Sequence, residues 1–215
     1  MAVWVVRAGR MGEWEEFDLE NNIVTINWEE IPDLNHVSNR EDVVALYRER
    51  YPGKTDNSVR NSVGQIWAFC SKIQIADLVV LPLKARSAIA IGKITGPYQY
   101  RSDFPLEVRH ARSVEWLNKS IPRAAFDQDI LYSFGSFMTV CQIQRNHAEE
   151  RIRAVLAGKT VTTMHSAGNL ESEILADIGA PLDIEQYGRD QVQEYLGQKF
   201  RGHDLSRLVA KLLEV

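Results

Sequence analysis

The residues of this chain with the means to do chemistry are aromatic and basic. Trp28 closes the run "NNIVTINW" just before the acidic, Pro-containing "EEIPDL", and Tyr98 and Tyr100 lie in "TGPYQY", a Gly-Pro turn at a strand end. Rings placed at the mouth of a small barrel can sandwich a planar base, each stack contributing on the order of 1 to 3 kcal/mol. The same rings would serve equally as caps over a core. Trp4, inside the first apolar run, and Trp67, on a helical apolar stripe, read as core. Between residues 84 and 123 stand Lys84, Arg86, Lys93, Arg101, Arg109, Arg112, Lys119 and Arg123 against Asp103, Glu107 and Glu115. Residues 1–33 are correspondingly acidic, so a chain of net charge −4 can still present a basic face. Such a face could track phosphates or be an ordinary solvated strand surface.

Several chemistries lack their residues. "RAVLAGKT" imitates a phosphate-binding loop, but Arg153 stands where the first glycine belongs and a helical pattern precedes it where a strand is needed. His36, His110, His147, His165 and His203 are scattered, with no HxH or HxxxH pair to seed a metal site. There is no GxSxG and no Cys with His at a catalytic spacing. A metal-dependent nuclease of the PD-(D/E)xK type needs acids to hold the divalent ion and a lysine to polarise the attacked group. No Asp or Glu here has a Lys two places on, so the expectation is a chain that is not itself a complete nuclease, with no catalytic residues, metal ligands or cofactor.

The elements that must position the aromatic residues follow from periodicity. "VWVVRAG" (3–9) and "NNIVTINW" (21–28) read as strands, with "RMGEWEEFDLE" between them as a hairpin arm or loop. "NREDVVALYRERYPG" carries helical spacing and a Pro-Gly stop, and "TDNSVRNSVGQIWAFCSKI" a second helix capped by Thr55 or Asp56. "DLVVLPLK", "SAIAIGKITGPYQY", "EVRHARSVEWL" and "SFMTVCQIQ" (136–144) read as strands; in the third, Arg112 is the exception on the apolar side. Two strands, two helices and then mostly strands predict an α+β domain on a curved or closed sheet, not alternating βα units. "HAEERIRAVL" then opens a helical C-terminal segment, with a small, polar linker after it and three more short helices.

Composition fits a soluble protein, at 45% hydrophobic and 25% charged residues. The N-terminus has neither the basic region nor the apolar length of a signal peptide or anchor, so a cytoplasmic location without membrane contact is expected. Cys70 and Cys141 fall in apolar patterns without a CxxC and read as reduced core thiols.

"VWVVRAGRMGEWEEF", "IVTINWEEIPDL", "DLVVLPLKARSAIAIGKITGPYQY", "HARSVEWL" and "DQDILYSFGSFMTVCQI" together resemble the N-terminal domain of Mrr-like type IV restriction endonucleases, a PUA-like domain of the EVE and YTH kind. The resemblance implies a PUA-like curved sheet or pseudo-barrel with flanking helices over residues 1–145, a helical connector over 146–198, and the first helix of a truncated nuclease domain over 199–215. It implies a reader of modified, chiefly methylated, bases in DNA, which flips a base into an aromatic pocket and targets a C-terminal restriction nuclease whose magnesium this chain would not hold. "INWEEIP" is similar to the YTH segment that carries a cage tryptophan, which makes Trp28 one wall. Arg7 and Gly9 would line the same pocket, with Tyr98 and Tyr100 opposite. Arg109, Arg112, Lys119 and Arg123 would contact phosphates.

Three alternatives stay open: an RNA-binding PUA-like module, a nuclease component active only with a separate catalytic part, and a homodimer built through the C-terminal helices. The last segment, "FRGHDLSRLVAKLLEV", places Leu205, Leu208, Val209, Leu212 and Leu213 on one helical stripe, which is expected to be exposed or covered by another copy.

Overall fold

The computed structural model describes residues 1–135 and 138–159 continuously, and beyond them only scattered positions. The chain divides into two compact units, Met1–Phe134 with Met138–His165, and Gly135–Phe137 with Ser166–Val215. The linker, most of the later helical segments and the leucine stripe of the last segment lie outside the described residues, as does any dimer made through them.

The first unit is α+β, built on one six-stranded mixed sheet in the order β2-β5-β4-β3-β1-β6. Its strands are β1 (Val3–Val6), β2 (Ile23–Ile26), β3 (Leu78–Leu83), β4 (Ala88–Tyr100), β5 (His110–Pro122) and β6 (Val140–Ile143). Its helices are α1 (Glu15–Asn21), α2 (Arg40–Arg50), α3 (Asp56–Trp67), α4 (Gln128–Phe134) and α5 (Ala148–Leu156), and α3 runs without a break into a π-helix, Ala68–Lys72. β1 pairs parallel with β3, and the remaining neighbours are antiparallel.

β1 and β3 are buried at every position, because both faces of the sheet are covered. Side chains alternate across a strand. Trp4, Val6 and Val79 accordingly join a core with Val43, Val63, Ile66 and Phe69 from the α2–α3 side, while Val3, Val5, Leu78 and Val80 meet Ile130, Phe134 and Ile152 from α4 and α5. Each such side chain contributes about 1.5–3 kcal/mol when fully removed from water. Helix α5 was expected to open a connector at residue 146. Its Ala148 and Ile152 belong instead to the second core, so the compact unit runs past residue 145.

Local signals account for the helix starts. Asn39 caps α2 by accepting from the Asp42 N–H at 2.9 Å, and Thr55 caps α3 by accepting from the Ser58 N–H at 3.3 Å. The long β4–β5 pair carries register shifts between Ile89 and Ile91, between Ile91 and Gly92, and between Ile94 and Tyr98, which bend it. Gly92 lies within that bend, where a Cβ would collide with the side chains of Val114 and Trp116.

The segment expected as a hairpin arm or loop is helix α1. Glu15 accepts the backbone N–H groups of Lys84 and Ala85 from the β3–β4 turn, and Asp18 accepts the Thr25 N–H at 3.1 Å and the Thr25 hydroxyl at 2.8 Å. These tertiary bonds hold a short acidic helix that lacks a side-chain cap at its N-terminus.

Asp18 is fully buried, and burial pushes its carboxyl from 3.8 up to about 8. The folded state thus keeps a proton that the unfolded chain releases near pH 4. This contribution to stability is fully present below that pH, falls as pH rises to about 8, and is level above it. Asp18→Asn is expected to flatten that decline. Thermal melts at pH 5 and pH 8 should show a smaller loss of Tm in the variant than in the native chain, and an equal loss in both would refute the assignment.

Candidate functional site

Two buried polar side chains organise the end of the sheet nearest the α3 terminus. On β5 the inward positions are His110, Arg112 and Val114, and Arg112 is only 3% exposed. Where α3 widens into the π-helix and ends, carbonyls lose their helical partners. The Arg112 guanidinium supplies new ones. Nε donates to Phe69 O at 2.6 Å, Nη2 to Cys70 O at 2.9 Å and Nη1 to Gly96 O of β4 at 3.3 Å. The Phe69 ring lies 5.9 Å from its Cζ. Burial pulls the Arg112 pKa down from its usual value.

His110 does similar work without charge. Its Nε2 faces Ile31 O at 3.1 Å, and a carbonyl can only accept, so Nε2 carries the proton. Nδ1 is then the acceptor for the Tyr98 hydroxyl at 2.7 Å, and that oxygen in turn accepts the Leu34 N–H at 3.3 Å. The chain from Leu34 through Tyr98 and His110 to Ile31 pins the loop after β2 to the sheet. Burial lowers the His110 pKa, consistent with the neutral ring, and raises that of Tyr98.

Between this loop, α2, the end of α3 and the sheet lies a pocket of about 360 Å³. Leu34, Val37, Val43 and Ile73 supply aliphatic surface, Trp67 and Tyr98 add rings, Arg112 reaches it from β5, and Asn35, Ser71 and Gln74 are polar lining residues. The volume suits a single small ring system. Ile75 also lines it while 59% exposed, beside Ala76 at φ +78°. That turn is held by Asp77, which accepts from the Gln74 N–H at 3.0 Å, the Trp4 indole N–H at 3.0 Å and the Ala2 N–H at 2.8 Å. Cys70 completes the lining, and burial pushes its thiol up to about 12, so it stays neutral at ordinary pH.

Of the residues expected to form a cage, Tyr98 alone lines this pocket, and it does so from the core rather than from an open rim: it is 7% exposed and its hydroxyl is already engaged. Trp28 and Tyr100 are half-buried against the core cluster that includes Tyr98, and Tyr100 meets the His110 ring edge-on at 5.2 Å. Arg7 is buried and donates from Nη2 to Phe134 O at 2.6 Å. Gly9 has φ +89°, and a Cβ there would overlap the Glu13 carboxylate, so its glycine serves its own turn.

Among the expected phosphate contacts, Arg112 is corrected: it is buried, and its guanidinium donates to three carbonyls inside the protein. Arg123 is corrected likewise, being buried at 4% exposure. Arg109 is half-buried, with Nε donating to Phe104 O at 3.4 Å, and Lys119 lies on an exposed stretch, with Nζ donating to Leu19 O at 2.7 Å. Among the pocket residues that sequence reasoning missed are Trp67 and Cys70, both read as core because they share the α3 stripe. Their being only partly buried sets them apart, and that is a tertiary property.

Fold and site together define an α+β domain with a ligand-sized pocket between its helical side and its sheet. The chain belongs to the DUF8426 family, a domain of unknown function, whose model matches residues 4–143. No curated protein matches it. A solved structure that it resembles is the YTH domain of the Zygosaccharomyces rouxii MRB1 protein in complex with N6-methyladenosine RNA, at 10% identity and a TM-score of 0.36, covering 79% of this chain and 91% of that one. A likeness at that score carries no ligand from one protein to the other.

Tyr98→Phe would strand the Leu34 N–H and the acceptor nitrogen of His110. The expected cost is about 1–3 kcal/mol of unfolding free energy, read from denaturant titration with an unchanged m-value. A loss within error of zero would refute the role given to this hydroxyl.

Proposed function

We propose that this domain holds a modified, chiefly methylated, base of DNA in the pocket between α3 and β4–β5, and that it serves a restriction system by bringing a C-terminal nuclease to such DNA. The observation that carries the reading is the pocket itself: ring-sized, of mixed polar and apolar lining, and bearing the aromatic side chains of Trp67 and Tyr98. The blocks that resemble the Mrr-like N-terminal domain support it, and with them a kinship to PUA-like folds. In this reading the chain performs no covalent chemistry and needs no cofactor, magnesium belongs to the nuclease part, the protein works in the cytoplasm, and copies pair through the C-terminal helices. No described helix is long and apolar enough to cross a membrane.

A methyl group buried against the pocket wall is worth only about 1 kcal/mol, so a preference for methylated over plain DNA rests on stacking as well. Extruding the base costs a few kcal/mol, which the same contacts must offset. Arg109 and Lys119 keep enough surface to meet phosphates, which position a strand without reading its sequence.

Fluorescence anisotropy of the full chain with matched plain DNA, methylated DNA and RNA tests the reading. Methylated DNA is expected to bind most tightly, and RNA binding as tightly as methylated DNA would redirect the proposal to RNA. Trp67→Ala should lower affinity for methylated DNA by roughly tenfold or more, as loss of one stacking contact implies. Trp28→Ala should have a smaller effect, and the reverse order would move the site to the end of β2. Replacing Arg109 and Lys119 together by Ala should weaken plain and methylated DNA alike and reduce the slope of log affinity against log salt. An unchanged slope would remove these two residues from the interface.

A further inference from the structure

The pocket is lined by a cation, Arg112, that touches no carboxylate among the described residues, the buried Asp77 acting on it only through space. Among the described residues Arg112 makes no ion pair, and Cys70, the other titratable side chain nearest the π-helix end, is held neutral. Its charge is met by carbonyl dipoles and the Phe69 ring. A guanidinium carries five N–H hydrogens in a planar fork. Three are given to Phe69 O, Cys70 O and Gly96 O, which leaves one on Nη1 and one on Nη2. A buried charge with unfilled donors favours any ligand that brings acceptors to it.

We propose that Arg112 selects the ligand by donating these two hydrogens to neighbouring acceptors, and that the base held is therefore a modified cytosine rather than a modified adenine. The inference rests on the base-binding reading above and names the class of base within it. Cytosine carries O2 and N3 side by side, two acceptors with no donor between them. The pairing edge of adenine sets an N6–H donor beside its N1 acceptor, and a donor facing a guanidinium is repelled. Leu34, Val37, Val43 and Ile73 offer an apolar wall for a methyl group on the ring carbon of a pyrimidine. Guanine offers a comparable acceptor pair in O6 and N7, but it does so in unmodified DNA as well.

The decisive measurement removes an atom from the ligand and leaves the protein untouched, because replacing Arg112 would also strip three carbonyls of their donor. The full chain is titrated with matched duplexes holding one central 5-methylcytosine, one N6-methyladenine or neither, and with one in which the methylcytosine lacks N3 as its 3-deaza analogue. The 5-methylcytosine duplex is expected to bind about tenfold or more tightly than the N6-methyladenine duplex, and loss of N3 should cost about tenfold, as for a hydrogen bond to a charged donor. Equal binding of the two methylated duplexes, or no penalty for the deaza analogue, overturns the role of Arg112 while leaving the base-reading proposal standing. If the plain, guanine-containing duplex binds as tightly as either methylated one, both fall.

Discussion

A guanidinium inside a protein core must be solvated by the protein or not be there. Arg112 meets that constraint with three backbone carbonyls from two different elements, two at the end of α3 and one in the bent part of β4. The cost of burying the charge thereby becomes a fixed relation between helix and sheet. If the π-helix moved away from β5, the cation and the carbonyls would both be left unpaired. The pocket is the space these elements enclose, so its shape depends on this contact.

The opposite wall is secured by different physics. Leu34, Tyr98, His110 and Ile31 form a neutral relay in which each donor has one acceptor and the tautomer follows from the carbonyl at one end. A neutral relay is cheaper to bury than an ion and holds a loop as firmly provided every member is satisfied. Asp77 does comparable work at the turn with Ile75, drawing in N–H groups from β1 and from the turn itself. The candidate site is thus assembled from irregular backbone that buried side chains tie to a regular sheet.

Function follows from what these devices leave unused. The hydroxyl of Tyr98 is occupied and the Cys70 thiol is neutral, so neither is prepared to act as a base or nucleophile. Rings, aliphatic surface, the polar side chains of Asn35, Ser71 and Gln74 and the remaining hydrogens of Arg112 are what a ligand would meet. Such a set can recognise shape and acceptors, which is what the proposed reader requires of it.

Much of the frame was legible in the chain. The strand–strand–helix–helix–strands order, the Thr55 cap and the inward apolar residues of β1 and β3 are local properties, and the α+β sheet follows from them. Helix α1 was not legible, because seven residues, five of them acidic or aromatic, have no helical periodicity strong enough to show, and the bonds that keep them helical come from residues 25, 84 and 85. The inward register of Arg112 was visible as a charge on the apolar side of β5, but its partners at residues 69, 70 and 96 lie far from it in sequence. Composition and spacing determined most of the strands, helices α2 and α3 and the apolar residues of the core. Only tertiary structure decided that Trp67 opens onto a pocket while Trp28 packs outside its lining, since a pocket is a space between elements and no single segment encodes it.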